Sequence, residues 1–489
     1  MIVEILGARM LAPYLGTSHF VWTAQITVTL VALASGYYAG GQWVDRSPRL
    51  ANLYSAIAAA GVWLCASVPA CETVAYGCLD LGLAAGALVA SAFLFFVPLA
   101  LLAMAGPFLV RAMTGSMESV GGTVGRLAAV STVGSVVGTL LIGYVLIPLL
   151  PNSVTLVLTA LALNLVALGY ALGRAGKDFP RKAIVGAALV GAAFGILGIR
   201  RDRLDVAGIE ERFRGNSNYG LLQVVEWSGQ SRRSFLTDYL TQNSYDPVRR
   251  QSTSMYTYVL HGLARGYSAR IDDVLCIGLG VGIVPMEFAR EGVRVDAVEI
   301  NPAIVPLAVE FFDLDPGQLD LKFGDGRHYV SRRAKRYDVI VLDAFLGDST
   351  PSHLSTREAF AAMRRILEPD GTLVMNSLGG LSGKEDFLTA SLVRTLGAVF
   401  RSVVVHRGGG GNIFLVASDR QPLTLDRRPD LERVHPLARD AVARAFEGIV
   451  SVDLTPGIVL TDDYNPAEFS DAQNREILRR QVAMKMRGR

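Results

Sequence analysis

Before residue 200 the chain runs through a succession of apolar stretches, each long enough to cross a bilayer. Nothing else in the sequence restricts its fold so strongly. In hydrocarbon every backbone N–H and C=O needs a partner inside the protein, so a span is a helix or a strand of a closed barrel. Continuous apolar runs of roughly 20 residues are helices. Spans are expected at 20–42, 51–70, 82–104, 126–150 and 153–173, with a weaker one at 183–199. The stretch 1–15 carries Glu4 and Arg9 and reads as the tail of a further helix, so the chain is expected to begin inside a fuller first span. No basic region precedes the apolar run, which argues against a signal peptide. The composition agrees: 51% of the 489 residues are hydrophobic and 19% are charged, too apolar for a soluble chain of ordinary usage.

Glycines four apart, Gly36/Gly40, Gly82/Gly86 and Gly134/Gly138, suit close helix–helix packing in lipid. A transport path would need polar groups at mid-span. Apart from Glu4, Arg9 and a few hydroxyls the spans offer almost none, so the bundle reads as an anchor. Basic residues gather at 45–49, near Arg111 and at 174–182, which places those loops in the cytoplasm. Arg200, Arg201 and Arg203 favour the cytoplasm for the remainder too, with 183–199 interfacial or re-entrant. The expected setting is multi-pass, in a bacterial inner membrane, with the lipid bilayer as one partner. Cys71 and Cys78 fall in a loop read as external, where they either pair or remain inert thiols. Cys65 and Cys276 read as core residues. No His/Cys cluster has metal-ligand spacing, so no metal is expected. A net charge of +3 without a basic–aromatic stripe gives no reason to expect nucleic acid.

After about residue 212 the pattern becomes strand-like. It alternates to about 260, with strands at 219–227 and 233–240 joined at Ser228-Gly229-Gln230. Strands then follow at 273–277, 294–299, 319–323, 337–342, 372–377, 402–406 and 412–417, separated mostly by helical stretches. That alternation implies a parallel sheet covered on both faces. The expected organisation is an all-α transmembrane helical bundle (1–199), a linker with a small β-hairpin subdomain (200–265) and an α/β class I, Rossmann-like domain (266–489).

Ligands of such sheets bind beyond the carboxyl ends of the strands. After the first strand stand Gly278, Gly280 and Gly282, where a missing Cβ lets the backbone approach a ligand. Glu299, with Asn301 behind it, ends the second strand about 20 residues on, where an acid accepts hydrogen bonds from ribose hydroxyls. Asp325 and Gly326 follow the third strand, and Asp343 the fourth. Alone, Glu299 or Asp325 could be a helix cap and Asp343 a loop start. Three acids on one crevice repel one another unless a cationic or hydroxyl-rich ligand is present, which favours a nucleoside site.

The segment from Asn216 to about Asp463 resembles the polyamine aminopropyltransferases, the spermidine synthase family, and most of all its membrane-fused branch. The likeness rests on Ile277-Gly-Leu-Gly-Val-Gly282 with Val298-Glu-Ile-Asn-Pro302, on Gly324-Asp-Gly326, on Asp343-Ala-Phe-Leu-Gly-Asp348-Ser-Thr-Pro351-Ser-His353, and on Leu460-Thr-Asp-Asp-Tyr464-Asn-Pro. Phe235-Leu-Thr-Asp238-Tyr239-Leu-Thr-Gln242 looks like the family's Leu-Asp-Gly-x-x-Gln hairpin, and 1–16 and 37–46 resemble the membrane branch. The resemblance implies that Glu299 holds the ribose, Asp325 accepts from the adenine amino group and Asp343 is catalytic beside the reacting amine. It implies that Asp238, Tyr239, Gln242, Asp348 and Tyr464 contact substrate. It also implies decarboxylated S-adenosylmethionine or S-adenosylmethionine as co-substrate, a small polyamine-type amine as acceptor, and room for a homodimer. Three departures bear on the amine and the donor: Val281 where the soluble enzymes carry an acid, Met255-Tyr256-Thr257 or a neighbouring frame in place of Tyr-His-Glu, and Leu346, with Asp348 close by, in place of a second acid. Methyl transfer or self-cyclisation of S-adenosylmethionine is the alternative chemistry, and a transporter or polyamine sensor with a degenerate domain the alternative class.

Overall fold

The computed structural model describes residues 1–16, 18–116, 119–173, 181–201, 208–345, 351–379, 386–467 and 469. They form two compact units, the first within Met1–Ala207 with Gly215–Gly220, the second within Gly208–Arg214 and Leu221–Leu478.

In the first unit a helix Ile2–Leu15 is followed by six helices long and apolar enough to cross a membrane: His19–Arg46, Leu50–Leu81, Leu83–Met113, Val120–Leu149, Asn152–Gly173 and Arg181–Arg200. The six expected spans fall on these six helices. The glycine pairs differ in what they do. At Gly36 a Cβ would lie 2.2 Å from the Ala100 carbonyl oxygen, so that pair brings two backbones together. Around Gly134 there is nothing within 4 Å.

Two expectations for this unit are corrected. The region read as an external loop at 72–80 continues the helix Leu50–Cys78, and all four cysteines are buried and outside any disulfide. Seven residues of helix separate Cys71 from Cys78 by roughly 10 Å, beyond the reach of a disulfide. The spans also hold buried amides: Gln25 is 0% and Asn164 2% exposed. Glycines make room for both, Gly7 against Gln25, and Gly61 and Gly191 against Asn164.

The second unit holds two sheets. The smaller has five strands in the order β1-β2-β3-β4-β5: β1 Ile209–Ser217, β2 Gly220–Trp227, β3 Arg233–Thr237, β4 Leu240–Asp246 and β5 Gln251–Ser252. The strand expected at 233–240 is interrupted. Asp238 and Tyr239 take φ of 49° and 63°, the two-residue turn whose twist suits a hairpin, and the chain returns as β4. The strand-like alternation read to about residue 260 gives way earlier, at the helix Met255–Tyr267. The β-branched and aromatic residues suggested strand, but Val259, Leu260, Leu263, Ala264 and Tyr267 recur with helical period and all face the core.

The larger sheet has eight strands: β6 Asp273–Ile277, β7 Arg294–Glu299, β8 Asp320–Phe323, β9 Tyr337–Leu342, β10 Leu367–Leu378, β11 Ser402–Arg407, β12 Asn412–Ser418 and β13 Ile449–Val450. Their order is β13-β11-β12-β10-β9-β6-β7-β8. Strands β8, β7, β6, β9 and β10 are parallel neighbours. The expected all-parallel sheet stops there, because β12 runs antiparallel to both β10 and β11. The Gly408–Gly411 turn explains it: β11 and β12 form a hairpin, which needs no crossover helix. The core lies on both faces. One layer gathers Val274, Cys276, Val339, Val341 and the Met255–Tyr267 helix, and the other Leu275, Ile277, Ile340, Leu342 and Phe360. Strand order reverses between β9 and β6, and the crevice at such a reversal is where this architecture takes ligands.

Candidate active site

Strand β6 delivers the glycine turn into that crevice. Gly278, Gly280 and Gly282 take φ of 95°, 52° and 84°. A Cβ at Gly278 would sit 2.3 Å from the Asp343 carbonyl oxygen, so β6 and β9 approach closely only with glycine there. A Cβ at Gly280 would meet nothing within 4 Å, so this part of the turn faces open space. The helix Ile283–Arg290 starts at Gly282 and leaves its first N–H groups at the cleft. Asn243, Tyr256, Cys276, the turn and Asp343 line the cleft together.

Glu299 ends β7 with 6% of its surface exposed. Its Oε2 accepts from the Leu279 N–H at 3.0 Å and its Oε1 from the Asn301 N–H at 2.7 Å. Burial raises its pKa, against the pull of these backbone donors and those of Ile300 and Gly280. The acid therefore braces the glycine turn through its backbone donors. Asn301 is buried and its side chain accepts from the Ala303 N–H at 3.3 Å.

Asp325 caps the helix Gly326–Arg332, accepting from the His328 N–H at 2.9 Å, and its other oxygen meets His353 Nε2 at 2.8 Å. Burial opposes its ionisation. The His328 and Arg327 N–H groups and the His353 ring outweigh that and hold its pKa below the usual carboxylate range. Gly326 packs where a Cβ would lie 2.5 Å from Ile277. The helix-cap reading of Asp325 is thus realised in the geometry, with the His353 ring on its second oxygen.

Asp343 follows β9 and keeps partial exposure at the cleft. Protein packed around its carboxylate pushes its pKa up to about 6, against the Asn376 amide, which donates to Oδ1 at 2.9 Å. Tyr256 is packed deeply enough that burial, followed by the nearby Asp343 charge, raises its phenol pKa. Its hydroxyl donates to the Gln242 carbonyl at 2.8 Å and accepts from Asn243 Nδ2 at 3.0 Å. The cleft thus holds one carboxylate poised near neutrality and a tyrosine kept neutral.

The other expected contacts fall elsewhere. Asp238 is buried, and its Oδ1 accepts from the Leu221 N–H at 2.9 Å in the hairpin. The Tyr239 hydroxyl accepts from Arg214 at 2.9 Å. On β4 the side chain lining the cleft is Asn243, and its neighbour Gln242 contributes its carbonyl. Tyr464 is 64% exposed beside Asp462, which binds Arg327 and Thr356. Asp348 lies outside the described residues. Three cleft groups were missed as site residues. Tyr256 was read only as a departure, Asn243 was passed over for Gln242, and Asn376 sits in a strand, Leu373-Val-Met-Asn376-Ser, where a lone buried amide is the available signal.

Sheet order, glycine turn and the acid ending β7 together define an α/β domain of the class I methyltransferase type. Residues 253–405 match the spermine/spermidine synthase domain, and the long apolar helices lie outside that match. The polyamine aminopropyltransferase of Vibrio vulnificus is 34% identical over 143 residues, 28% of this chain and 45% of that protein. The N-terminal histidine N-methyltransferase of Emericella nidulans is 32% identical over 152 residues, 30% of this chain and 26% of that protein. The chain thus spans between a quarter and a half of the length of these curated relatives. A crystal structure of spermidine synthase from Thermotoga maritima aligns at 19% identity with a TM-score of 0.39, covering 48% of this chain and 84% of that one.

Proposed function

We propose that this protein is a membrane-anchored aminopropyltransferase, moving an aminopropyl group from decarboxylated S-adenosylmethionine to an amine and releasing methylthioadenosine. The observation that carries the reading is Asp343 with its pKa near 6 in the cleft beside the glycine turn. An alkylamine in water is protonated at neutral pH. A carboxylate of this pKa accepts a proton from nitrogen and orients the amine. The lone pair of the amine then forms the N–C bond while the C–S bond breaks, its electron pair staying on sulfur. The sulfonium becomes a neutral thioether; the proton of the incoming ammonium having left through Asp343 to water before attack, the ionised carboxylate then takes one proton from the secondary ammonium product. Glu299 and the turn hold the nucleoside, and alignment of the two reactants supplies most of the acceleration. The six long apolar helices support the anchoring role.

Methyl transfer from S-adenosylmethionine is the second reading, favoured by the match to a histidine N-methyltransferase. Product analysis separates them. Aminopropyl transfer leaves methylthioadenosine and methyl transfer leaves S-adenosylhomocysteine.

A further inference from the structure

Asn243 lines the cleft with 3% of its surface exposed. Its Nδ2 is committed to the Tyr256 oxygen, whose own proton goes to the Gln242 carbonyl. The amide is planar, so fixing Nδ2 fixes Oδ1, and Asn243 Oδ1 is buried with no hydrogen-bond partner among the described residues. Turning the amide over would draw the Tyr256 proton away from the Gln242 carbonyl and put the amide nitrogen, without a partner, where the oxygen now lies. Asp343 differs in being partly exposed: Asn376 takes Oδ1, and Oδ2 has no hydrogen bond among the described residues. Asn376 Oδ1 is also buried without a partner among them, but Asn243 and Asp343 are the two that line the cleft. Leaving a buried oxygen such as Asn243 Oδ1 unpaired is costly, and native folds rarely do so without a ligand to complete it.

We infer that Asn243 Oδ1 and Asp343 Oδ2 receive the two N–H groups of the attacking nitrogen and so select a primary amine, an assignment that rests on the aminopropyl-transfer reading. A neutral primary amine has two N–H bonds and one lone pair. With one N–H on each oxygen, the lone pair is left for the sulfonium carbon. After attack the nitrogen is a secondary ammonium whose two N–H groups remain on the same acceptors, and Asp343 removes one proton. Positive charge builds on nitrogen while both hydrogen bonds are in place, so both strengthen toward the transition state. A secondary amine has one N–H and satisfies only one of the two acceptors.

The test uses the full chain in detergent with decarboxylated S-adenosylmethionine, comparing n-butylamine with N-methylbutylamine. The wild-type kcat/KM should favour the primary amine by about 10- to 100-fold. Asn243→Leu removes the acceptor and should collapse that preference while leaving donor affinity by calorimetry unchanged. Asn243→Asp keeps an acceptor oxygen, loses the donor to Tyr256, and should retain the preference. A wild-type ratio near one overturns the inference without any variant. Equal loss in both variants also overturns it, because the Tyr256 contact would then be what matters. Wild-type transfer with indistinguishable variants removes this inference alone. Donor binding with no transfer to any amine removes the aminopropyl-transfer reading as well.

Discussion

Asn376 Nδ2 donates to Asp343 Oδ1 over 2.9 Å, and Asp343 lines the cleft. The amide both orients the acid and favours its ionised form against burial. Asn376→Leu should therefore raise the pKa of Asp343 further. The acid limb of the pH–rate profile should move to higher pH, with donor affinity preserved. A purely structural role for Asn376 would lower stability and leave the limb in place.

Asp343→Asn should lower turnover by roughly 10²–10⁴-fold, because the amine loses its proton acceptor. Donor affinity should change far less, since Glu299 and the glycine turn lie on other strands. Steady-state turnover with donor calorimetry on one preparation checks both. A folded variant turning over at the wild-type rate would remove Asp343 from the chemistry.

The same substitution should stabilise the protein above neutral pH. Burial raises the Asp343 pKa to about 6, so the folded state holds its proton more tightly than the unfolded chain. Stability from this group is present at low pH and is lost as pH rises through about 6. Melting temperatures at pH 8 should be higher for Asp343→Asn than for wild type, with the gap closing toward pH 4 or so. Turnover of the wild type should rise across that same window as the carboxylate ionises.

Glu299→Gln should impair the nucleoside site twice. An amide offers one acceptor where the carboxylate gives both oxygens to Leu279 and Asn301, so one N–H of the turn loses its partner. Nucleoside affinity should fall by about 1.5–3 kcal/mol per charge-assisted bond lost at most. Calorimetry with methylthioadenosine measures it, and unchanged affinity would remove Glu299 from the site.

Most of the α/β scaffold was legible because its signals are local. Strands β6, β7 and β9 are short buried runs punctuated by glycine or acid, and their limits were read to the residue. The Met255–Tyr267 helix was missed because Tyr256, Thr257, Tyr258 and Val259 favour strand locally while packing against the core decides for helix. The β3–β4 turn was missed because Asp238 and Tyr239 take positive φ without a glycine to announce it. At the site, the acids at strand ends stood out by position. Asn243 and Asn376 did not, because an unpaired amide oxygen is a property of the folded cleft and has no sequence pattern.

The most direct measurement is mass spectrometry of the purified full chain incubated with decarboxylated S-adenosylmethionine or S-adenosylmethionine, each with and without a primary amine. Aminopropyl transfer requires methylthioadenosine and an amine heavier by one aminopropyl group, formed only when the decarboxylated donor and the amine are both present. S-adenosylhomocysteine with a methylated product, or a donor that binds and is never consumed, would contradict it.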